Sequence, residues 1–134
     1  MRIITSTIIF ICLFSCKQPA PVVNSLKEAD SVVINIKPSA TDTAMLNFNT
    51  KDKNAINKLS NYLNGKTVAV KSCNDEGNFI FYKGGVQLQA VTFNYKNKDC
   101  RHFSYNYKGE EMNVDLNNEA TDFFTALEKG KSTY

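Results

Sequence analysis

Alternation of apolar and polar residues dominates the second half of this 134-residue chain. Four successive segments place apolar side chains at every second position, which is the spacing of one face of a β-strand. Gly84-Gly85 suits a tight hairpin turn, and Gly109 suits another. The pattern therefore predicts an antiparallel meander of four strands, over Asn78–Lys83, Val86–Tyr95, Arg101–Lys108 and Glu111–Leu116.

Three segments nearer the N-terminus show the same alternation and predict further strands, over Ser31–Lys37, Ala44–Asn49 and Lys66–Ser72. The segment from Asn78 is apolar on both faces, so we expect it to be a central strand covered twice. The apolar phase of the next strand changes near Ala90-Val91, which predicts a β-bulge there.

Two segments have helical rather than strand periodicity. Asp52 to Asn64 places Ile56, Leu59 and Leu63 on one stripe, and a second helix is predicted from Asn118 to Lys129. The predicted element order is ββαβββββα. The fold class that this order indicates is α+β: a curved, mainly antiparallel sheet of about six to seven strands, with two helices packed on one face.

The N-terminus reads as an export signal. Arg2 supplies a positive charge, and the apolar run from Ile3 to Phe14 is shorter than the roughly 20 residues that a spanning helix needs. The run ends in Leu13-Phe14-Ser15-Cys16. Cleavage without lipid attachment and an uncleaved anchor are the alternatives to a lipoprotein signal.

Leu13 to Cys16 resembles the lipobox of bacterial lipoproteins, in which an aliphatic residue stands three places before the cysteine and a small residue directly before it. The resemblance implies that Cys16 carries acyl chains (palmitate) as a membrane anchor. It also implies that residues 1–15 are removed. Residues 16–30 would then be the lipidated cysteine and a flexible tether, and residues 31–134 one soluble domain. Lys17 in place of Asp favours the outer membrane, facing the periplasm.

Cys73 and Cys100 are the two cysteines left outside the signal, and an exported domain favours a disulfide between them. Such a bond would stabilise the domain by about 3–4 kcal/mol. In a flat meander, three strand spacings would separate the two residues by about 14 Å. We therefore expect a curled sheet and inward-reaching loops, the alternative being a strand order that does not follow the sequence.

Catalytic and metal-binding chemistry receives little support. His102 is the only histidine, and on a strand it shares a face with Cys100 and Ser104. A disulfide would remove the free thiolate that a Cys–His nucleophile pair needs. Cys73, Cys100 and His102, joined by Asp75 or Asp99, match no common zinc spacing. We expect a solvent-facing histidine, no metal, no cofactor and no enzymatic activity.

A mixture of basic and aromatic side chains marks a candidate binding edge, formed by Tyr95, Lys96, Lys98, Arg101 and His102. Such groups stack on sugars or hold acidic ligands. Charges are mixed along the chain, with a formal net of +3, so nucleic acid is not an expected partner.

The sequence thus predicts a lipid-anchored, non-catalytic binding domain with an envelope protein or glycan as partner. The alternative is a periplasmic inhibitor of a lysozyme-like or proteolytic enzyme, acting through the loops Ser72–Asn78 and Asn94–Arg101.

Overall fold

A computed structural model describes residues 20–38, 44–69 and 72–131. The predicted signal peptide and Cys16 lie outside the described residues. The elements are three helices, α1 (Pro21–Leu26), α2 (Lys53–Tyr62) and α3 (Asn118–Glu128), six strands, β1 (Ser31–Ile36), β2 (Leu46–Thr50), β3 (Gly77–Lys83), β4 (Val86–Asn94), β5 (His102–Tyr107) and β6 (Glu110–Asp115), and a 3₁₀ turn, Lys98–Cys100.

The six strands form one antiparallel sheet in the order β2-β1-β3-β4-β5-β6. The predicted α+β class and the predicted number of strands are confirmed. Gly84 and Gly85 turn the β3–β4 hairpin with φ of 57° and 77°, a backbone region that favours glycine. The predicted bulge exists, but the register shifts opposite Leu88 rather than at Ala90-Val91.

The core lies between one face of the sheet and the helices. Phe93 stacks on Phe124 of α3 with ring centroids 4.1 Å apart, and Phe103 stacks on Tyr62 of α2 at 6.2 Å. The opposite face of β3 is half-exposed at Ile80 and Tyr82. The prediction that β3 is central is confirmed, and the prediction that it is covered on both faces is wrong.

Helix α1 replaces part of the expected tether. Val22, Val23 and Leu26 are buried in the core, and the backbone N–H of Ala20 donates to Asn64 Oδ1 at 2.9 Å. The prediction of a flexible tether is therefore wrong for residues 20–30. Pro21 lies in the first turn of α1, where backbone N–H groups have no hydrogen-bond partner within the helix. The N–H that proline lacks is therefore not needed there, and Pro21 is compatible with the start of the helix.

The segment Lys66–Ser72 is not the strand that was predicted, as far as its described residues go. Thr67 forms one isolated bridge to Val114 at the outer edge of β6. From Ser72 the described chain leads into β3 near the middle of the sheet and is bonded to the turn that precedes β5. We call Ser72–Glu76 the crossover segment.

The crossover explains the disulfide. Cys73 lies on the crossover segment and Cys100 ends the 3₁₀ turn before β5, and their Cα atoms are 6.1 Å apart. The predicted Cys73–Cys100 bond is confirmed. The two cysteines meet because the crossover segment and the 3₁₀ turn lie at the same end of the sheet, before β3 and before β5. The strong curling of the sheet stays a prediction.

Candidate functional site

A cleft of about 740 Å³ opens where the crossover segment passes the strand ends. Its walls come from three separate parts of the chain: the end of β1, the crossover segment, and the loop between β4 and β5. The lining residues are Lys37, Pro38, Ser72, Cys73, Asn74, Asp75, Glu76, Asn94, Lys96, Asn97 and Cys100. The disulfide thus forms part of the cleft wall.

Glu76 fixes the base of the cleft. Its backbone N–H donates to the Phe93 carbonyl at 3.0 Å, and its carbonyl accepts from the Lys37 N–H at 2.8 Å. Its Oε2 also accepts from the backbone N–H groups of Tyr95 and Lys96, at 2.7 and 2.9 Å. These charge-assisted bonds hold the β4–β5 loop against the crossover segment.

Lys96 ties the opposite wall together. Its Nζ donates to the carbonyl oxygens of Lys37 and Pro38 at 3.0 and 2.6 Å, and to Glu128 Oε1 of α3 at 3.2 Å. Tyr95, which is 1% exposed, also donates its hydroxyl to Glu128. Burial, followed by this hydrogen bond and the nearby carboxylates, raises the pKa of Tyr95.

The predicted binding edge is only partly brought to this cleft. Lys96 lines it, whereas Tyr95 and His102 are buried. The expectation of a solvent-facing histidine is wrong: His102 Nδ1 lies 2.7 Å from the carbonyl oxygen of Cys100. Arg101 Nε donates to the Tyr95 carbonyl at 3.0 Å, so this side chain braces the loop. Lys98 is exposed on the 3₁₀ turn and does not line the cleft.

Asn94 is the residue that sequence reasoning missed. It is 2% exposed and lines the cleft, and its Nδ2 has no hydrogen-bond partner in the part of the chain that the structure describes. A buried amide donor without a partner is uncommon in folded proteins. The sequence contains many asparagines, and Asn94 occupies an ordinary position in a segment of alternating apolar and polar residues. No local pattern therefore distinguishes it.

A row of uncharged polar side chains borders the cleft on the half-exposed face of the sheet. One residue from each strand contributes to this polar row, in the order Asn47, Asn35, Asn78, Thr92, Ser104 and Asn113. Asn47 Nδ2 donates to Asn35 Oδ1 at 2.7 Å, and Asn35 Nδ2 donates to Asn78 Oδ1 at 2.9 Å. Asn78 and Thr92 of the polar row lie two residues along the chain from Glu76 and Asn94, which line the cleft.

The charges of the cleft balance. Lys37 and Lys96 face Asp75 and Glu76, two of each sign, so the cleft has no net attraction for a strongly charged ligand. Among the described residues, no group of three or more His, Cys, Asp or Glu side chains could hold a metal ion. What the cleft offers is hydrogen bonding from amide, hydroxyl and charged groups.

Within the described ranges, no helix is long and apolar enough to cross a membrane. Comparison with known proteins adds no relative: no protein-family model, curated protein or solved structure matches this chain.

Proposed function

We propose that this protein is a lipid-anchored, non-catalytic binding domain of the bacterial cell envelope, and that the cleft holds its ligand. The observation that carries the proposal is the way the cleft is built. The charged side chains of Glu76 and Lys96 form hydrogen bonds that hold its walls in place, and the disulfide joins two of its segments. Three asparagines, Asn74, Asn94 and Asn97, are also in the lining, and their amides form hydrogen bonds without titrating in the range that acid–base catalysis uses.

Blocking the cleft tests the proposal. Asn74→Trp replaces an exposed residue of the crossover segment with a much larger side chain that would obstruct the cleft. We expect saturable binding of one envelope fraction (protein, lipid or glycan) to the immobilised protein, measured by biolayer interferometry. Asn74→Trp should weaken that binding at least tenfold.

The matched control is Asn61→Trp, because this asparagine is also exposed and lies on α2, away from the cleft and from the polar row. This variant should bind as the parent protein does. Equal binding by Asn74→Trp would show that the ligand is held elsewhere on the surface.

The lipid anchor belongs to the same proposal. Acylation of Cys16 would leave residues 17–19 between the lipid and Ala20, which spans at most about 13–14 Å of extended chain. This tether is much shorter than the one expected from the sequence, because α1 packs into the core. The domain would therefore lie close to the bilayer, on the periplasmic face of the outer membrane.

Metabolic labelling with an alkyne analogue of palmitate tests the anchor. Cys16→Ser should abolish the label and release the protein from the membrane fraction, whereas Cys12→Ser in the signal should keep both. Density separation of the two membranes should place the labelled protein in the outer membrane. Label retained by Cys16→Ser would contradict the anchor at this residue.

Inhibition of an envelope enzyme is the second candidate function. The observation that favours it is that the disulfide joins Ser72–Asn78 to Asn94–Arg101, the two loops expected to form an inhibitory edge. A pre-organised loop pair loses little conformational entropy when it enters an active site. Near-stoichiometric loss of activity in a panel of muramidases and proteases would support this function, and full activity of every enzyme would remove it.

A further inference from the structure

We infer that the cleft recognises a neutral glycan through the carbonyl oxygen of an acetamido group. In this interaction Asn94 Nδ2 donates a hydrogen bond to that oxygen. The inference rests on the proposed function, since it names the ligand class of the same cleft. Its starting point is the unpartnered Asn94 amide, which is buried from solvent and lines the cleft. A ligand that supplies an acceptor would remove the desolvation cost of this donor.

Ligand charge is limited by the cleft itself. The two lysines and two acidic residues cancel, and Lys96 is already engaged with two carbonyl oxygens and Glu128. Glu76 is engaged through one carboxylate oxygen with two backbone N–H groups. The remaining charged lining residues, Lys37 and Asp75, are of opposite sign, so the cleft offers a strongly charged ligand no net opposite charge and a neutral ligand is favoured.

The polar row favours a glycan over a peptide. Amide and hydroxyl side chains both donate and accept, which matches sugar hydroxyl groups. Five members of the row, from Asn47 to Ser104, are exposed or half-buried and stand one to a strand at a spacing of about 4.8 Å, so a sugar chain crossing these strands could be contacted repeatedly. Asn113 on β6 is buried and does not contribute to these contacts.

A peptide ligand lacks the contacts that it normally uses. A bound strand pairs with a free strand edge, but the backbone at the base of the cleft is already paired between Lys37, Glu76 and Phe93.

The test is a titration of the purified, disulfide-bonded protein, followed through the side-chain NH₂ resonances of Asn94 by nuclear magnetic resonance. Di-N-acetylchitobiose should shift these resonances in a saturable manner. Cellobiose, which has a hydroxyl in place of each acetamido group, should not shift them. Asn94→Asp keeps the shape of the side chain but removes the donor, and should lower the affinity for di-N-acetylchitobiose at least tenfold.

Asn57→Asp is the matched control, because this half-buried asparagine lies on α2 and not in the cleft or the polar row. It should bind as the parent protein does. If Asn94→Asp fails to fold, Asn94→Ser supplies the same comparison with a smaller side chain.

Three results would overturn the inference: no saturable shift with di-N-acetylchitobiose, an equal shift with cellobiose, or a stronger response to an N-acetylated dipeptide. The last would reassign the site to peptides. None of the three would by itself contradict the proposed binding function, which fails if no envelope fraction binds saturably. The cleft fails as the binding site if Asn74→Trp leaves that binding intact.

Discussion

Gly77 shows how closely single atoms limit this fold. It begins β3 on the core side of the sheet, opposite Phe93. A β-carbon at this position would lie 2.5 Å from the Asn35 carbonyl oxygen and 2.5 Å from Phe93 Cζ. Backbone as well as ring would have to move, so the small size of glycine is what allows β1, β3 and the Phe93 ring to come together.

We therefore expect Gly77→Ala to lower the free energy of unfolding by about 1–3 kcal/mol, the usual cost of overpacking a core. Urea unfolding followed by circular dichroism measures the change. Gly85→Asn is the control, because the turn has open space around its glycine and asparagine tolerates a φ of 77°. A parent-like stability of Gly77→Ala would show that β3 and Phe93 are less tightly packed than described.

Three buried tyrosines predict that the free energy of unfolding falls at high pH. Burial is the main cause of a raised pKa at Tyr62, Tyr95 and Tyr105. Because the folded state holds these protons above the pKa of about 10 that tyrosine has in unfolded chains, the unfolded state binds fewer protons there. Stability is therefore fully present below pH 10 and falls as the pH rises above it.

The expected slope above pH 10 is about 1.4 kcal/mol per pH unit for each tyrosine that remains protonated only in the folded state. Tyr95→Phe should reduce this slope by the contribution of one tyrosine, about 1.4 kcal/mol per pH unit. Urea unfolding at several pH values between 8 and 11 measures the slope. The loss of stability should begin near the pKa of about 10 that tyrosine has in the unfolded chain. A loss of stability that begins well below pH 9 would indicate that other groups cause it.

Helix α1 is the element whose role differs most from expectation. Val23 and Leu26 are 0% and 1% exposed, so the helix belongs to the core although its sequence reads as a proline-containing tether. Its six residues would be marginal as an isolated helix. The helix is therefore stabilised by packing rather than by local propensity.

Leu26→Ala should cost about 2–5 kcal/mol, as buried leucines do elsewhere. Asn24→Ala, on the exposed side of the same helix, should change stability by less than about 0.5 kcal/mol. Thermal unfolding of the two variants makes the comparison. Equal stability of both would mean that α1 does not contribute to the folded domain.

The disulfide acts on the crossover segment and the 3₁₀ turn together. Replacing both cysteines, Cys73→Ser with Cys100→Ser, should lower stability by about 3–4 kcal/mol on the loop-entropy estimate. We also expect loss of ligand binding under conditions in which the sheet is still folded, because the bond joins two walls of the cleft. Dithiothreitol should reproduce both effects in the parent protein and neither in the double variant.

At the scale of the whole molecule, one core spans all the secondary structure. Buried residues from the three helices and five of the strands belong to a single hydrophobic cluster, and Phe48 of the remaining strand packs against it. A shared core of this kind favours cooperative unfolding.

With the disulfide intact, unfolding should be a single transition, with the same midpoint by far-ultraviolet circular dichroism and by tyrosine fluorescence. The chain contains no tryptophan, so tyrosine reports on the core. Separate midpoints for the two signals would show that α1 or the crossover region unfolds independently.

The sequence by itself determined the six strands, the two longer helices and the disulfide partners. Their patterns are local: Phe79 and Phe81 alternate on β3, and Asp52 and Asn117 cap α2 and α3 through bonds to Ala55 and Ala120. Periodicity and capping depend on near neighbours in the chain, and near neighbours are what a sequence displays.

Only the tertiary structure decided the packing of α1, the bridge of Thr67 to β6 and the composition of the cleft. Lys96 meets Lys37 and Pro38 across more than fifty residues, and the buried amide of Asn94 acquires meaning only when the crossover segment passes beside it. These contacts join residues that are distant in the chain. No short-range pattern records them, because burial and hydrogen-bond satisfaction depend on the whole folded chain.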